Sequence, residues 1–194
     1  MKRFLIVASA CLWIATSVHA AKFVVKPGAP NKVVFVSKAA SESFDGKTDK
    51  ISGRIVVDPA SVVDTVEVQL DVDMASLDTG IGKRNQHMRD NHLHTDKYPT
   101  ATFVGAKVLG PEGASLALGK PLAFECEGTF TLHGVTKRLR ATVEVTLRDE
   151  RTLAFKTSFK VPLADYKIDR PKFLFMKLGE VQDVTVEGVA VATP

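Results

Sequence analysis

The chain has 194 residues and a formal net charge of +4. At ~100–200 residues per domain, that length fits one domain. The charge is close to balance and no basic run is interleaved with aromatic residues, so composition offers no argument for a nucleic-acid partner.

Residues 1–20 read as a signal peptide. Lys2 and Arg3 give a positive start, residues 4–18 an apolar centre, and Val18-His19-Ala20 a small-residue cleavage site. The apolar run is short for a membrane span, so cleavage after Ala20 is expected. That leaves residues 21–194 as an exported domain, periplasmic or secreted, with no stable membrane span. Acylation at Cys11 is disfavoured, because Ala8-Ser9-Ala10 is a poor lead and the apolar run before it is too short. Cys126 is then the single cysteine of the mature chain, which excludes an internal disulfide.

Residues 21–31 hold two prolines and a glycine and are expected to be a lead-in segment. A first strand is expected over 32–38, a second over 41–47, then a turn at 47–50. Residues 51–58 alternate, with Ile51, Gly53, Ile55 and Val57 on one face. Residues 65–74 give the clearest strand: Val66, Val68, Leu70, Val72 and Met74 point one way, and Glu67, Gln69, Asp71 and Asp73 the other. Such period-two alternation means one apolar side and one wet side. Further strands are expected over 100–109, 121–132, 138–148, 152–161 and 181–191, with His133-Gly134 as a tight hairpin turn. On the 121–132 strand, Cys126 shares the face of Phe124 and Phe130 and reads as a small buried apolar residue. Residues 162–178 break the alternation, and Phe173 to Met176 form an apolar run that is either barrel packing or a flap at a cavity mouth. About eight strands separated by turn residues suit a barrel or sandwich.

Between the strands at 65–74 and 100–109 lies a long polar insertion, and such loops are often functional. Residues 82–91 lack proline and β-branched residues, so a short helix is expected there, with Ile81, Asn85, Met88 and His92 on one face. His87, Asp90, His92 and His94 cluster nearby. Their spacing matches no zinc pattern, so solvated or hydrogen-bonding histidines are expected and no metal site. Residues 79–83 lack the first glycine and the hydroxyl of a phosphate-binding loop, and no nucleophile-elbow motif occurs. No catalytic residue and no cofactor are therefore assigned.

The same insertion carries a resemblance. Ser76-Leu77-Asp78-Thr79-Gly80, then R-N-x-H-M-R-D at 84–90, then Y-P-x-A-x-F at 98–103 resembles the core motif of the YceI-like family of secreted lipocalin-like proteins. Phe44 to Thr48 with Ile51-Ser52-Gly53, and GTFTLHGVTK at 128–137, agree with it, and the likeness spans about residues 33–191. It implies an all-β fold, a single antiparallel lipocalin-like barrel of about eight strands with one short inserted α-helix. In some members the apolar interior holds an isoprenoid-like lipid. The expected function is thus a non-enzymatic binder of an isoprenoid lipid or quinone, lined by Val68, Leu70, Phe130, Val143, Phe155 and Phe159. Lys83, Arg84 and Arg89 are expected either at the barrel mouth, facing an anionic ligand end, or as a solvated helix face. Two alternatives stay open at this point. One is a filled barrel that acts through its surface as an interaction or stress protein; the other is a metal or hydrolase site at the histidine loop. The oligomeric state is not legible.

Overall fold

Strand β5 (Glu67–Asp73) shows how the alternation becomes a wall: Val68, Leu70 and Val72 border an interior cavity, while Glu67 and Asp73 at its ends are exposed. The computed structural model describes residues 20–38, 43–170, 172–173 and 176–193. The signal-peptide reading, Cys11 and the start of the strand expected over 41–47 lie outside the described residues. So do Leu174, Phe175 and the side chains of 171–177, and with them the packing-or-flap alternative for Phe173 to Met176.

The other strands are β1 (Ala21–Val25), β2 (Lys32–Lys38), β3 (Ser43–Thr48), β4 (Ile51–Val57), β6 (Thr100–Leu109), β7 (Pro121–Leu132), β8 (Val135–Asp149), β9 (Thr152–Pro162) and β12 (Val181–Ala192). A separate two-residue pair joins β10 (Lys172–Phe173) to β11 (Met176–Lys177). β1 and β2 lie end to end along one edge of β12, which pairs with β2 over 183–187 and with β1 over 190–192. β3 and β4 continue the same arrangement against β2 and β1. With each end-to-end pair counted as one wall position, the sheet is a closed eight-position meander in which chain neighbours are always sheet neighbours. All pairings between these strands are antiparallel, and the β1–β12 pairing closes the sheet, with the outer edge of β3 carrying the Lys47–Asp78 bridge.

The segment expected as a lead-in is therefore partly a strand. Phe23 and Val25 are each 1% exposed, and β1 supplies the pairing with β12 that closes the barrel. Its five residues are too few for a periodic signal before Pro27 interrupts. At the β1–β2 break, buried Asn31 replaces the missing ladder: its Nδ2 donates to the Lys26 carbonyl at 2.7 Å, and its Oδ1 accepts from the Val189 N–H at 2.8 Å. Buried backbone groups left unpaired there would be costly.

The two barrel ends differ. Helix α1 (Val62–Thr65) and the 114–116 segment close one end, where the Val62 N–H donates to the Ala114 carbonyl at 3.0 Å and the Leu116 N–H to Pro59 at 2.7 Å. The Val62 and Leu116 side chains are buried there. The other end carries helix α2 (Gly82–Met88), the His133-Gly134 hairpin and a 3₁₀ turn (Leu163–Tyr166). His133 and Gly134 take φ of 51° and 72°, the left-handed pair that a tight hairpin requires. The helix expected over 82–91 stops at Met88. The chain widens into a π-helical turn, Arg89–Leu93, closed by the His94 N–H donating to the Arg89 carbonyl.

Candidate functional site

Inward side chains of the strands enclose a cavity of about 960 Å³, near the top of the roughly 300–1,000 Å³ range of small-molecule sites. The barrel is hollow because several of its largest side chains lie flat on the wall. The Phe155 ring lies over Gly188, its register partner; a Cβ on Gly188 would come 2.3 Å from the ring edge. Phe35 covers Gly46 in the same way, with a would-be contact of 2.2 Å. Phe103 covers the facing pair Gly105 and Gly128, at 2.6 and 2.7 Å. Each glycine gives an aromatic ring a bed in the wall, which keeps it out of the lumen.

Val68, Leu70, Phe130, Val143, Phe155 and Phe159 all border this cavity. Phe130 and Phe159 meet edge to face with ring centroids 5.6 Å apart. Cys126 borders it as well, 4% exposed, and burial pushes its thiol pKa up, which disfavours the reactive thiolate.

The three cations do not converge on the opening. Lys83 and Arg84 border the cavity and Arg89 does not. Arg84 donates from Nε to Thr79 Oγ1 at 2.8 Å and from Nη2 to the Thr79 carbonyl at 2.7 Å, and its guanidinium stacks 4.2 Å over the Phe44 ring. Arg89 Nη1 donates to the Ala75 carbonyl at 2.8 Å. Lys83 is exposed and has no polar partner among the described residues.

The motif residues around them form a scaffold. Asp78 Oδ1 accepts from the Gly80 N–H at 2.8 Å and from Asn85 Nδ2 at 2.6 Å. Asn85 Oδ1 in turn accepts from the Thr79 N–H at 2.8 Å and Thr79 Oγ1 at 2.7 Å. The Gly80 bond, followed by that of Asn85, lowers the Asp78 pKa below its ordinary range. This network fixes α2 at the rim, so that Ile81, Met88, His92 and Leu93 border the cavity. Asn85, expected on their face, is buried against the loop instead.

The histidines are held by hydrogen bonds. His94 Nδ1 lies 2.8 Å from His133 Nε2, and His133 Nδ1 lies 3.0 Å from the Tyr166 carbonyl. His92 Nδ1 lies 2.9 Å from the Asp169 carbonyl. A carbonyl only accepts, so His92 Nδ1 carries a proton. Burial lowers the His92 pKa, opposed by the Asp169 bond and aided by the nearby His87 ring. No group of three or more His, Cys, Asp or Glu side chains among the described residues is placed to hold a metal ion.

Several cavity residues escaped the sequence reading, the polar Ser37 and Gln182 among them. Ser37 is 2% exposed and borders the cavity from β2, and Gln182 borders it from β12. Ser37 lies at the inward parity of Val33 and Phe35, which is the signal that could have found it. Gln182 sits one place before the expected alternation of Val184 and Val186 becomes clear.

A closed antiparallel meander around an apolar cavity, with one end plugged and a helix at the other, defines a lipocalin-like binding barrel. The YceI-like domain matches residues 23–190, and the chain belongs to that family. The fold is similar to Burkholderia cenocepacia BcnA, with 21% identity over 83% of this chain and 96% of that one, at a TM-score of 0.69. It is likewise similar to a polyisoprenoid-binding domain from Saccharophagus degradans implicated in plant cell wall breakdown, with 21% identity, 90% and 100% coverage and a TM-score of 0.70. A Campylobacter jejuni YceI protein aligns at 21% identity over 77% of this chain and 85% of that one, with a TM-score of 0.61. No curated protein gives a significant match.

Proposed function

We propose that the protein is an exported, non-enzymatic binder that holds the chain of an isoprenoid lipid or quinone inside the barrel. The observation that carries this reading is the cavity of about 960 Å³ with its lining of aliphatic and aromatic side chains. A branched apolar chain fits such a space by burial alone. At ~0.8 kcal/mol per CH₂, each five-carbon unit contributes roughly 3–4 kcal/mol before ordering costs. The kinship with a polyisoprenoid-binding domain supports the same ligand class. Val68, Leu70, Phe130, Val143, Phe155 and Phe159 would contact the chain. The polar end would face the α2 rim, because the opposite end is plugged by α1 and Leu116. Lys83, the uncommitted cation at that rim, adds a weak, salt-sensitive attraction for an anionic end.

Export rests on Lys2, Arg3, the apolar run and Val18-His19-Ala20. Intact-mass analysis of the exported protein checks it: a mass beginning at Ala21 supports the reading, and a retained Met1 or an acylated Cys11 overturns it. Binding is checked by titrating delipidated protein with geranylgeraniol. Saturable, stoichiometric uptake supports the reading, and absence of uptake overturns it.

A further inference from the structure

Among the described residues, two buried side-chain polar atoms lack a hydrogen-bond partner: Ser37 Oγ and His92 Nε2. Both residues border the same cavity, and both stand at its α2 end. Ser37 is the penultimate residue of β2, the strand that runs toward this end, and His92 lies in the π-helical turn after α2. Buried polar atoms are normally satisfied, so two exceptions at one end of an otherwise apolar cavity call for a shared explanation. We propose that His92 Nε2 and Ser37 Oγ form the polar-head subsite of this cavity, and that His92 selects a chain ending in a hydroxyl group. The inference rests on the lipid-binding reading above and assigns the head chemistry that reading leaves open.

The argument turns on which nitrogen carries the proton. The Asp169 carbonyl, 2.9 Å away, can only accept, so the proton sits on His92 Nδ1. In the neutral ring Nε2 is then a bare lone pair, an acceptor with nothing to accept from. The neutral ring is favoured, since burial disfavours the charged one and the neighbouring His87 adds repulsion. A bare buried acceptor on a residue of the cavity wall wants an O–H. A prenyl alcohol or a prenylated phenol supplies one; an ether or a hydrocarbon end does not. Ser37 Oγ both donates and accepts, so it tolerates any oxygen placed beside it and contributes position more than selectivity. A ligand without a donor leaves the already buried Nε2 unsatisfied, whereas an O–H removes that cost.

The test uses two probes that differ in the donor and one methyl group, geranylgeraniol and geranylgeranyl methyl ether, titrated into the delipidated mature protein. The alcohol should bind about tenfold more tightly, the effect of one buried acceptor gaining or lacking its partner. His92→Phe keeps a ring of similar size and should bring the alcohol-to-ether affinity ratio from about ten to about one, whatever its effect on the two affinities together. A measurement on the unmodified chain stands beside it: the His92 Nε2 ¹⁵N resonance should report an unprotonated nitrogen that shifts with the alcohol and not with the ether. Equal affinity of the unmodified protein for both probes overturns this inference and leaves the lipid-binding reading intact. Binding of neither overturns both. A resonance showing the proton on Nε2 in the free protein also overturns the inference.

Discussion

Gly188→Ala separates a hollow barrel from a filled one. Gly188 sits opposite Phe155 in the β9–β12 register, and a Cβ there would lie 2.3, 2.8 and 3.1 Å from the ring atoms Cζ, Cε1 and Cε2. Those are far-edge atoms of one side chain, so the ring must yield, by about 1 Å to reach ordinary contact. In a filled core such overpacking costs about 1–3 kcal/mol. Here the ring can swing into the lumen, and relief of the glycine entropy returns about 0.5–1 kcal/mol. The two nearly cancel, so stability should stay within about 1 kcal/mol of the parent. Binding should not: losing room for one or two CH₂ groups removes about 0.8–1.6 kcal/mol, or roughly tenfold in affinity. The assay is urea unfolding in parallel with geranylgeraniol titration. A loss of 1–3 kcal/mol in stability with unchanged uptake would refute the reasoning, since the ring would then have had no empty space to enter.

Other expectations follow from the same geometry. Asn85→Ala removes bonds to Asp78, to the Thr79 N–H and to Thr79 Oγ1, and should cost about 1–3 kcal/mol with faster amide exchange across α2; unchanged exchange would mean that the network does not fix the helix. Lys160 and then Lys38 hold the Asp183 carboxyl down to about 2 from its ordinary 3.8. A lowered folded-state pKa stabilises the fold above the unfolded value, and that contribution is lost as pH falls from about 3.8 through about 2. Acid unfolding of Asp183→Asn should thus differ from the parent near neutral pH and converge with it near pH 2; parallel curves would refute the assignment. Lys83→Ala should weaken geranylgeranyl phosphate by at most about 1 kcal/mol at low salt and spare geranylgeraniol. Equal loss for both ligands would make Lys83 a packing residue instead.

Much of the wall was legible because a half-buried strand writes its two faces into alternate residues. The inward set from Val66 to Met74 borders the cavity as the alternation predicts, and so do Leu139 to Val145 on β8. What the pattern could not show is whether inward phenylalanines meet or part. That depends on glycines at 46 and 188, opposite Phe35 and Phe155 on neighbouring strands, and on Gly128 facing Gly105 beside Phe103, pairings that exist only in the register. The rim was harder for another reason. Arg84, Asn85 and Arg89 stand among charged and polar neighbours and look like ligand contacts or a solvated face, yet the folded loop occupies their donors with Thr79, Asp78 and Ala75. His92 was visible as one of a histidine cluster, but its single hydrogen bond reaches Asp169, a partner 77 residues away. β1 was missed because five residues before a proline carry too little periodicity to register.

The central claim is that the barrel holds an apolar chain. The most direct measurement is organic extraction of the purified native protein followed by mass spectrometry, with geranylgeraniol uptake measured on the same protein after delipidation. The account predicts a prenyl-chain lipid in the extract at near-stoichiometric amount and saturable re-uptake into the emptied barrel. A lipid-free extract together with no uptake by the delipidated protein would contradict it.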